Sequence, residues 1–361
     1  MSESFENRYS LLDKLMHRIA FKTPGFQTVV SDMEDKIFAK ELKGIKARDP
    51  VFITSLPRAG TTLVLELRAK LEEFATHRYK DMPFIITPLF WSKFASGFRK
   101  KDELRERAHG DGMMVNIESP EAMEEMLWMA FWEEHYKEDR ILLWNGDENE
   151  EFTIFFRNHM RKLIAARKKD NPSASRYISK NNLNISRIDY LLREYPDSTI
   201  ILIVRNPLQH AKDLLEQHEN FSDMHAEDKF AREYMRGIGH FDFGDNLKPV
   251  DFGSWMDERR VTDPFKLDFW LEYWTNAFEH LLAKQGTSGL RFLSYDELST
   301  KPREVLGRLA DVIQAKSPDK LVEQSGVIYE GNVKEVNISE IDADILDKSL
   351  NLKKKLDAVT L

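Results

Sequence analysis

The sequence predicts an α/β protein whose parallel sheet is flanked by helices and extended by helical insertions. Three observations lead to this fold class. A short β-branched apolar run at 51–54 passes through a tight turn into a helix that begins near Thr61. A longer apolar run at 199–204 also precedes a helix, as is typical of a parallel strand buried on both faces. Amphipathic helical segments lie between and after these two strands.

The composition indicates a folded, acidic protein with a sizeable core. Of its 361 residues, 42% are hydrophobic and 11% aromatic, and the net charge is −8. The negative charge argues against a general nucleic-acid partner. The absence of cysteine excludes disulfides, thiol catalysis and zinc–thiolate sites. No apolar run approaches the roughly 20 residues of a membrane span, and the polar N-terminus lacks a signal-peptide core. We therefore expect a cytoplasmic protein with no transmembrane segment.

Three regions are expected along the chain. Helical spacing predicts N-terminal packing helices at 1–49, and the main α/β domain is expected at 50–316. Charged, helix-forming residues predict a C-terminal helical tail at 317–361. Within the main domain, two insertions at about 91–170 and 221–265 are expected to form acceptor-site or lid elements. The second insertion has no clean periodicity, and so long an irregular segment inside a compact domain favours a functional loop.

The later strands and helices of the main domain are justified by the same signals. Short apolar runs predict strands at 176–179 and 290–294. Ser119, Pro120 and Glu121 predict a helix start, because serine caps, proline fits the first position and a carboxylate suits the first turn. The carboxyl ends of parallel strands form the ligand-binding edge of such a sheet.

The turn that follows the first strand is expected to bind an anion, because a helix N-terminus presents N–H groups and partial positive charge there. Gly60 and Thr62 match the second glycine and the hydroxyl residue of the motif G-x-x-x-x-G-K-[ST], while Ser55 replaces its first glycine. Thr61 replaces the lysine, which argues against an ATPase or ordinary kinase. The cation is supplied instead by Arg58. A P-loop-type sheet for an anionic ligand is therefore predicted; a turn with no ligand is the alternative.

The stretch 56–62, L-P-R-A-G-T-T, resembles the 5′-phosphosulfate loop of sulfotransferases that use 3′-phosphoadenosine-5′-phosphosulfate (PAPS), usually written P-R-[SA]-G-T-T. The resemblance covers roughly 50–310 and implies a bacterial-type sulfotransferase. It implies that the donor is bound by Pro57, Arg58, Ala59, Gly60, Thr61 and Thr62. Arg58 also counts among the candidate catalytic groups.

A second motif follows the apolar strand at 199–204. Arg205-Asn206-Pro207 resembles the family's 3′-phosphate motif, R-[DN]-P-x-x-x-x-x-S, in which the arginine grips the phosphate. Asp213 stands where the family has serine. Three outcomes are open: weaker PAPS binding, a phosphate held by other groups, or a relative that no longer transfers sulfate. Tyr295 lies in a segment resembling the family's Y-[DE]-x-L, which implies an approach to a donor phosphate; core packing is the alternative.

Catalytic candidates lie near the ends of predicted strands. Asp81 is the candidate general base and His77 the second choice, since related enzymes have a carboxylate in about this place; a turn cap and a surface histidine are the alternatives. Lys180 ends the strand at 176–179. The resemblance implies that this lysine reaches the transferring sulfonate, where a fixed cation stabilises the developing charge. A surface lysine is the alternative.

The predicted function is in-line transfer of a sulfonate group from PAPS to a hydroxyl group. The acceptor is expected to be a small molecule, a carbohydrate or a lipid, with no nucleic acid and no metal involved. A homo-oligomer is compatible with the sequence. Two alternatives stay open: a non-catalytic binding protein of sulfotransferase fold, suggested by Asp213, and a nucleotide-dependent phosphotransferase, opposed by the missing lysine.

Overall fold

The computed structural model describes residues 16–17, 19–21, 23–94, 105–106, 114–329 and 333–361. The strands of these residues are β1 Val51–Thr54, β2 Phe74–Ala75, β3 Arg105–Glu106, β4 Met114–Val115, β5 Arg176–Lys180, β6 Thr199–Val204 and β7 Leu290–Ser294. The α-helices are α1 Pro24–Ile37, α2 Ala39–Leu42, α3 Thr61–Ala69, α4 Pro88–Phe94, α5 Glu125–Met129, α6 Glu150–Lys168, α7 Ile188–Glu194, α8 Pro207–Glu227, α9 Lys229–Gly237, α10 Trp255–Glu258, α11 Leu267–Leu282, α12 Tyr295–Thr300, α13 Pro302–Val312, α14 Pro318–Glu323 and α15 Ala343–Asp357.

The main sheet has the strand order β2-β5-β1-β6-β7, and its neighbouring strands pair in parallel. The strand β1 lies in the centre, with Val51 opposite Ile178 of β5 and Thr199 of β6. Because the strands are parallel, the carboxyl ends of β5, β1, β6 and β7 meet at one edge of the sheet. The predicted α/β fold with a helix-flanked parallel sheet is confirmed. The strands β3 and β4 form a separate antiparallel pair.

The two faces of the sheet are covered by different helices, because successive side chains of a strand point to opposite faces. On one face, Val51 and Ile53 pack with apolar residues of α3 and α13. On the other face, Phe52 and Leu202 join a larger core that contains residues of α6, α8 and α11. Every residue of β1 is buried, as the continuous apolar run predicted.

Two local predictions differ from the structure. The helix expected at Ser119 begins only at Glu125, because Pro120 pairs with Arg78 in an isolated β-bridge and holds the chain extended there. The segment expected to be irregular from 221 continues α8 to Glu227 and then forms α9. In the charged C-terminal region, α15 contributes Leu352 and Leu356 to the main core. Positions 95–104 and 107–113 of the first insertion lie outside the described residues.

Candidate active site

The loop between β1 and α3 is fixed from below by two hydrogen bonds. The Ser55 hydroxyl donates to the carbonyl oxygen of Ile203 in β6, at 2.6 Å. The His210 Nε2 atom lies 2.7 Å from the carbonyl oxygen of Pro57, so Nε2 carries the proton and donates. Burial lowers the pKa of His210 to about 3, which keeps this ring neutral. The loop is therefore anchored to both β6 and α8.

Two residues of the loop backbone have a left-handed conformation. Arg58 and Gly60 have φ angles of 68° and 89°, in the left-handed region. A Cβ atom at Gly60 would overlap the ring of Tyr295, so glycine is required for this close approach. The loop then enters α3 at Thr61, where the first turn directs N–H groups towards the helix start. This backbone is suited to an anion.

Arg205 joins the two sequence motifs in space. It follows β6, and its Nη1 atom donates to the carbonyl oxygen of Arg58 at 2.8 Å. Its guanidinium lies 5.2 Å from the ring centre of Tyr295. The helix that follows is capped by Asn206, whose side chain accepts hydrogen bonds from the first-turn N–H groups of α8. The two sequence motifs thus contact each other, and the ring of Tyr295 packs against both Arg205 and Gly60.

Asp213 on α8 forms an ion pair with this arginine. Its Oδ2 atom accepts from Arg205 Nη1 at 2.5 Å, and its carboxylate also forms an ion pair with Lys334. Lys334 pairs in addition with Glu216. Burial alone would raise the pKa of Asp213, but the charges of Arg205 and Lys334 hold it below its ordinary value. The structure thus shows a direct ion pair between Asp213 and Arg205.

Lys334 is a site residue that the sequence did not reveal. Its backbone N–H donates to Gln209 Oε1 at 2.7 Å, and its carbonyl oxygen accepts from Gln209 Nε2 at 2.9 Å. These two bonds fix the tail segment against α8 and bring a second cation beside Arg205. Nothing in the motif pattern indicates this lysine, because its position depends on the path of the tail.

A second group of contacts extends from the loop towards the end of β5. The Thr54 hydroxyl donates to the carbonyl oxygen of Asn182 at 3.1 Å, and the Thr61 hydroxyl donates to Asn182 Oδ1 at 3.4 Å. The Asn182 side chain in turn donates to Asp242 Oδ2 at 3.0 Å. Lys180 ends β5 just before this asparagine. The structure therefore brings the loop, the β5 end and Asp242 together.

Asp81 and His77 lie in a different environment. The Asp81 side chain is buried; it forms an ion pair with Arg167 and accepts from the backbone N–H of Arg78 at 2.8 Å. His77 is also buried, with its Nε2 atom 2.9 Å from Nε2 of His159. Burial lowers the pKa of His77 to about 4. These contacts give both residues a structural task, and the prediction that Asp81 takes a proton stays a prediction.

The turn after β5 rests on a buried charged cluster that the sequence also did not reveal. The guanidinium of Arg187 lies between the rings of Trp128 and Trp144, 4.2 and 4.3 Å from their centres. Its Nη2 atom donates to Glu125, which also accepts from Asn181 at 2.6 Å. Full burial of this arginine is tolerated because the carboxylate and the two aromatic faces replace its hydration. The cluster holds the β5 end in place.

A cavity of about 1080 Å³ adjoins the segment that carries Asp242. Apolar and aromatic side chains dominate its lining, which includes Met126, Met129, Phe230, Tyr234 and Phe241. Charged side chains also line the cavity, among them Glu133, Glu233 and Lys248.

The described part of the chain lacks both a metal-binding cluster and a membrane-spanning helix. There, no group of three or more His, Asp or Glu side chains is arranged to hold a metal ion. No helix in those residues has the length and apolar character to cross a bilayer.

Solved structures of similar shape include three bacterial sulfotransferases. The enzyme of Mycobacterium avium is 10% identical to this chain; the match covers 91% of this chain and 81% of the M. avium chain, with a TM-score of 0.48. The Mycobacterium tuberculosis H37Rv enzyme is 14% identical, with coverages of 97% and 87% and a TM-score of 0.46. The Alicyclobacillus acidocaldarius enzyme is 11% identical, with coverages of 86% and 95% and a TM-score of 0.39.

Sequence comparison gives a family match. No curated protein sequence matches the chain. A profile described as the sulfotransferase family, however, matches residues 50–252, which contain the phosphosulfate-type loop, Arg205 and Asp242. Since that match spans more than half of the 361 residues, the chain belongs to the sulfotransferase family.

Proposed function

We propose that this protein transfers a sulfonate group from PAPS to a hydroxyl group of an organic acceptor. The observation that carries the proposal is the junction of the two anion-binding motifs, where Arg205 donates to the carbonyl oxygen of Arg58. A donor with a 5′-phosphosulfate and a 3′-phosphate needs two such sites side by side. Family membership supports the reaction class.

The residues fit the donor at both of its charged ends. For the phosphosulfate, the loop would supply N–H groups and the hydroxyls of Thr61 and Thr62, with Arg58 as the cation and Pro57 and Ala59 shaping the turn. The overlap that any side chain at Gly60 would make with Tyr295 supports a loop built for close approach. For the 3′-phosphate, Arg205 would be the principal cation, with Lys334 beside it.

When bound, PAPS supplies the activated sulfonate, and the protein stabilises the charge that develops during transfer. Lys180 is proposed to neutralise charge on the transferring group, since it lies at the β5 end, next to the Asn182 contact with the loop. Fixed cations of this kind are an effective way to lower such a barrier. Asp81 is the base that the sequence predicts, and in the structure its carboxylate forms a buried ion pair with Arg167.

The acceptor is proposed to have a substantial apolar part. The cavity lined by Phe241, which adjoins Asp242 in the sequence, is large, and its aromatic lining favours rings or alkyl chains over a bare sugar. Its charged residues would contact polar groups of the same molecule. Among the acceptor classes that the sequence suggested, lipid-like and aromatic alcohols therefore come first.

A binding protein without catalysis is the second candidate, and a specific observation favours it. Asp213 occupies Arg205 and Lys334, so a 3′-phosphate must displace or share these contacts. A nucleotide phosphotransferase has less support, because Thr61 stands where the phosphate-binding lysine would be.

Calorimetric titration with adenosine 3′,5′-bisphosphate tests the proposal, with ATP plus Mg²⁺ titrated in parallel. We expect micromolar binding of the bisphosphate that is lost in Arg205→Ala. Arg260→Ala is the matched control, since the Arg260 side chain is 50% exposed and pairs with Asp342 in the tail; it should bind normally. A folded wild-type protein that does not bind the bisphosphate would contradict the proposal and favour the non-catalytic candidate. Binding of ATP that strictly requires Mg²⁺ would favour the phosphotransferase.

A further inference from the structure

A continuous set of contacts leads from the anion-binding loop to the segment 239–243. Thr61 contacts Asn182, and Asn182 donates to Asp242 Oδ2 at 3.0 Å. His240 lies beside this carboxylate, with its Nε2 atom 3.9 Å from Asp242 Oδ2. These contacts connect the loop, through the Asn182 amide and the Asp242 carboxylate, to the His240 imidazole. This chain of contacts connects an acid–base group to the loop that would hold the transferring group.

The segment that carries His240 is rigidly held. Gly239 has a φ of 79°, and an added Cβ would overlap the side chain of Glu125. The backbone N–H of His240 donates to the carbonyl oxygen of Met235 at 2.9 Å. The imidazole ring stacks on Phe221, with centres 4.8 Å apart and an angle of 13° between the planes. A ring so fixed suits proton transfer, which requires a defined geometry.

The charges around His240 favour a neutral ring that can accept a proton. Burial lowers the pKa of His240, and the charge of Lys180 lowers it further. The charges of Asp242 and Glu121 act in the opposite direction. His225, on α8, also lies within electrostatic range. A neutral imidazole has a nitrogen lone pair, and the Asp242 carboxylate would stabilise the imidazolium formed after protonation.

Glu121 and Asp81 are alternative proton acceptors, and both carboxylates make contacts in the structure. The Glu121 carboxylate accepts from the Tyr79 hydroxyl and, at 2.7 Å, from the backbone N–H of Ala122. Asp81 is paired with Arg167. Protonating His240 would create an ion pair with Asp242.

We propose that His240 is the general base of the transfer and that Asp242 is its charge-stabilising partner. This inference rests on the proposed function. As the acceptor oxygen forms its bond to sulfur, its proton passes to His240 Nε2. The bond between sulfur and the bridging phosphate oxygen breaks, and its electron pair leaves with adenosine 3′,5′-bisphosphate. The imidazolium later returns its proton to solvent.

Two acceptors of different acidity test the role of the base directly. Phenol is un-ionised at neutral pH and needs proton removal, whereas para-nitrophenol in mildly alkaline buffer is already the phenolate. With PAPS as donor, His240→Gln should lower the rate with phenol by about 10²–10⁴-fold and change the rate with para-nitrophenolate only slightly. Bisphosphate affinity should stay close to the wild-type value. His225→Gln is the control, since His225 is also buried but accepts from the Asp245 backbone; it should treat both acceptors alike.

Equal losses with both phenols in His240→Gln would overturn the proposal, because they would indicate a structural defect. A loss confined to phenol in Asp81→Asn, with His240→Gln unaffected, would move the base to Asp81 and also overturn it.

A titration of the histidines by NMR gives a result even if neither phenol is accepted. Bisphosphate brings negative charge near His240 and should raise its pKa, whereas Asp242→Asn should lower it. A His240 pKa that neither change moves would overturn this inference while leaving a bisphosphate-binding protein consistent with the proposed function. Failure of the wild-type protein to bind bisphosphate would overturn both.

Discussion

Replacing Asp213 with serine should strengthen binding of adenosine 3′,5′-bisphosphate. In the structure the carboxylate accepts from Arg205 at 2.5 Å and pairs with Lys334. It therefore occupies donors that a 3′-phosphate would use and places negative charge beside it. Asp213→Ser restores the serine of the family motif and removes both effects.

The size of the gain follows from the local dielectric. Two unit charges about 5 Å apart interact by about 3 kcal/mol at an effective dielectric constant of about 20, and by less than about 1 kcal/mol in water. The side chains of Arg205 and Asp213 are 16% and 9% exposed, so the pair lies between these limits. A gain of about 1–3 kcal/mol corresponds to a dissociation constant lower by about 5- to 150-fold.

The assay is calorimetric titration at two salt concentrations, with adenosine 5′-monophosphate as the matched ligand that lacks the 3′-phosphate. Asp213→Ser should change bisphosphate affinity and leave monophosphate affinity nearly unaltered. Glu216→Gln is the control variant, because Glu216 also pairs with Lys334 but is 37% exposed; its effect should be smaller. Unchanged or weaker bisphosphate binding in a folded Asp213→Ser protein would refute the reasoning, since the carboxylate would then be helping to hold Arg205 in place.

Two further predictions concern stability. Gly60→Ala should lower the free energy of unfolding by about 1–3 kcal/mol and weaken bisphosphate binding, because the left-handed backbone and the contact with Tyr295 exclude a side chain at this position. Gly253→Ala is the control, since Gly253 is also left-handed but has open space around it, so it measures backbone strain without steric overlap. Equal effects of the two substitutions on binding would contradict the argument. Thermal unfolding should show that stability falls as the pH drops from about 6.5 towards 4. In this range His77 is protonated in the unfolded chain but not in the folded one, where its pKa is about 4. His77→Gln should reduce the slope of stability against pH by at most about 1.4 kcal/mol per pH unit, and an unchanged slope would contradict this prediction.

Most of the central sheet could be predicted because its strands carry their signal locally. The runs that became β1 and β6 are continuous and apolar, and burial on both faces requires that pattern. The two-residue strand β2 gives no such signal. Ser119 and Pro120 have the residues of a helix start, but a tertiary pairing with Arg78 prevails over local preference.

The long helix α8 shows a different limit of the sequence. Beyond 220 its buried side includes Phe221 and His225, and a histidine in a polar stretch does not mark an apolar face. The helix was therefore expected to end early, and the following segment was expected to be irregular. Its packing is evident only once His225 is seen to accept from the backbone of Asp245.

The candidate site divides in the same way. The loop at Arg58 and the arginine at 205 could be found because each lies in a compact motif next to a strand. Lys334, His240 and Asp242 could not, because they reach the site through the path of the chain rather than through a local pattern. Convergence of distant residues is a property of the tertiary fold, and spacing within one segment contains no information about it.

The contact between Lys334 and α8 also joins two segments that lie far apart in the sequence. The backbone of Lys334 is held by Gln209, 125 residues away in the sequence. Closing so long a loop costs chain entropy. An anion that binds Arg205 and Lys334 together binds only chains in which this closure has occurred, and mass action then favours the closed form. A bound nucleotide would therefore stabilise the tail in its position against α8.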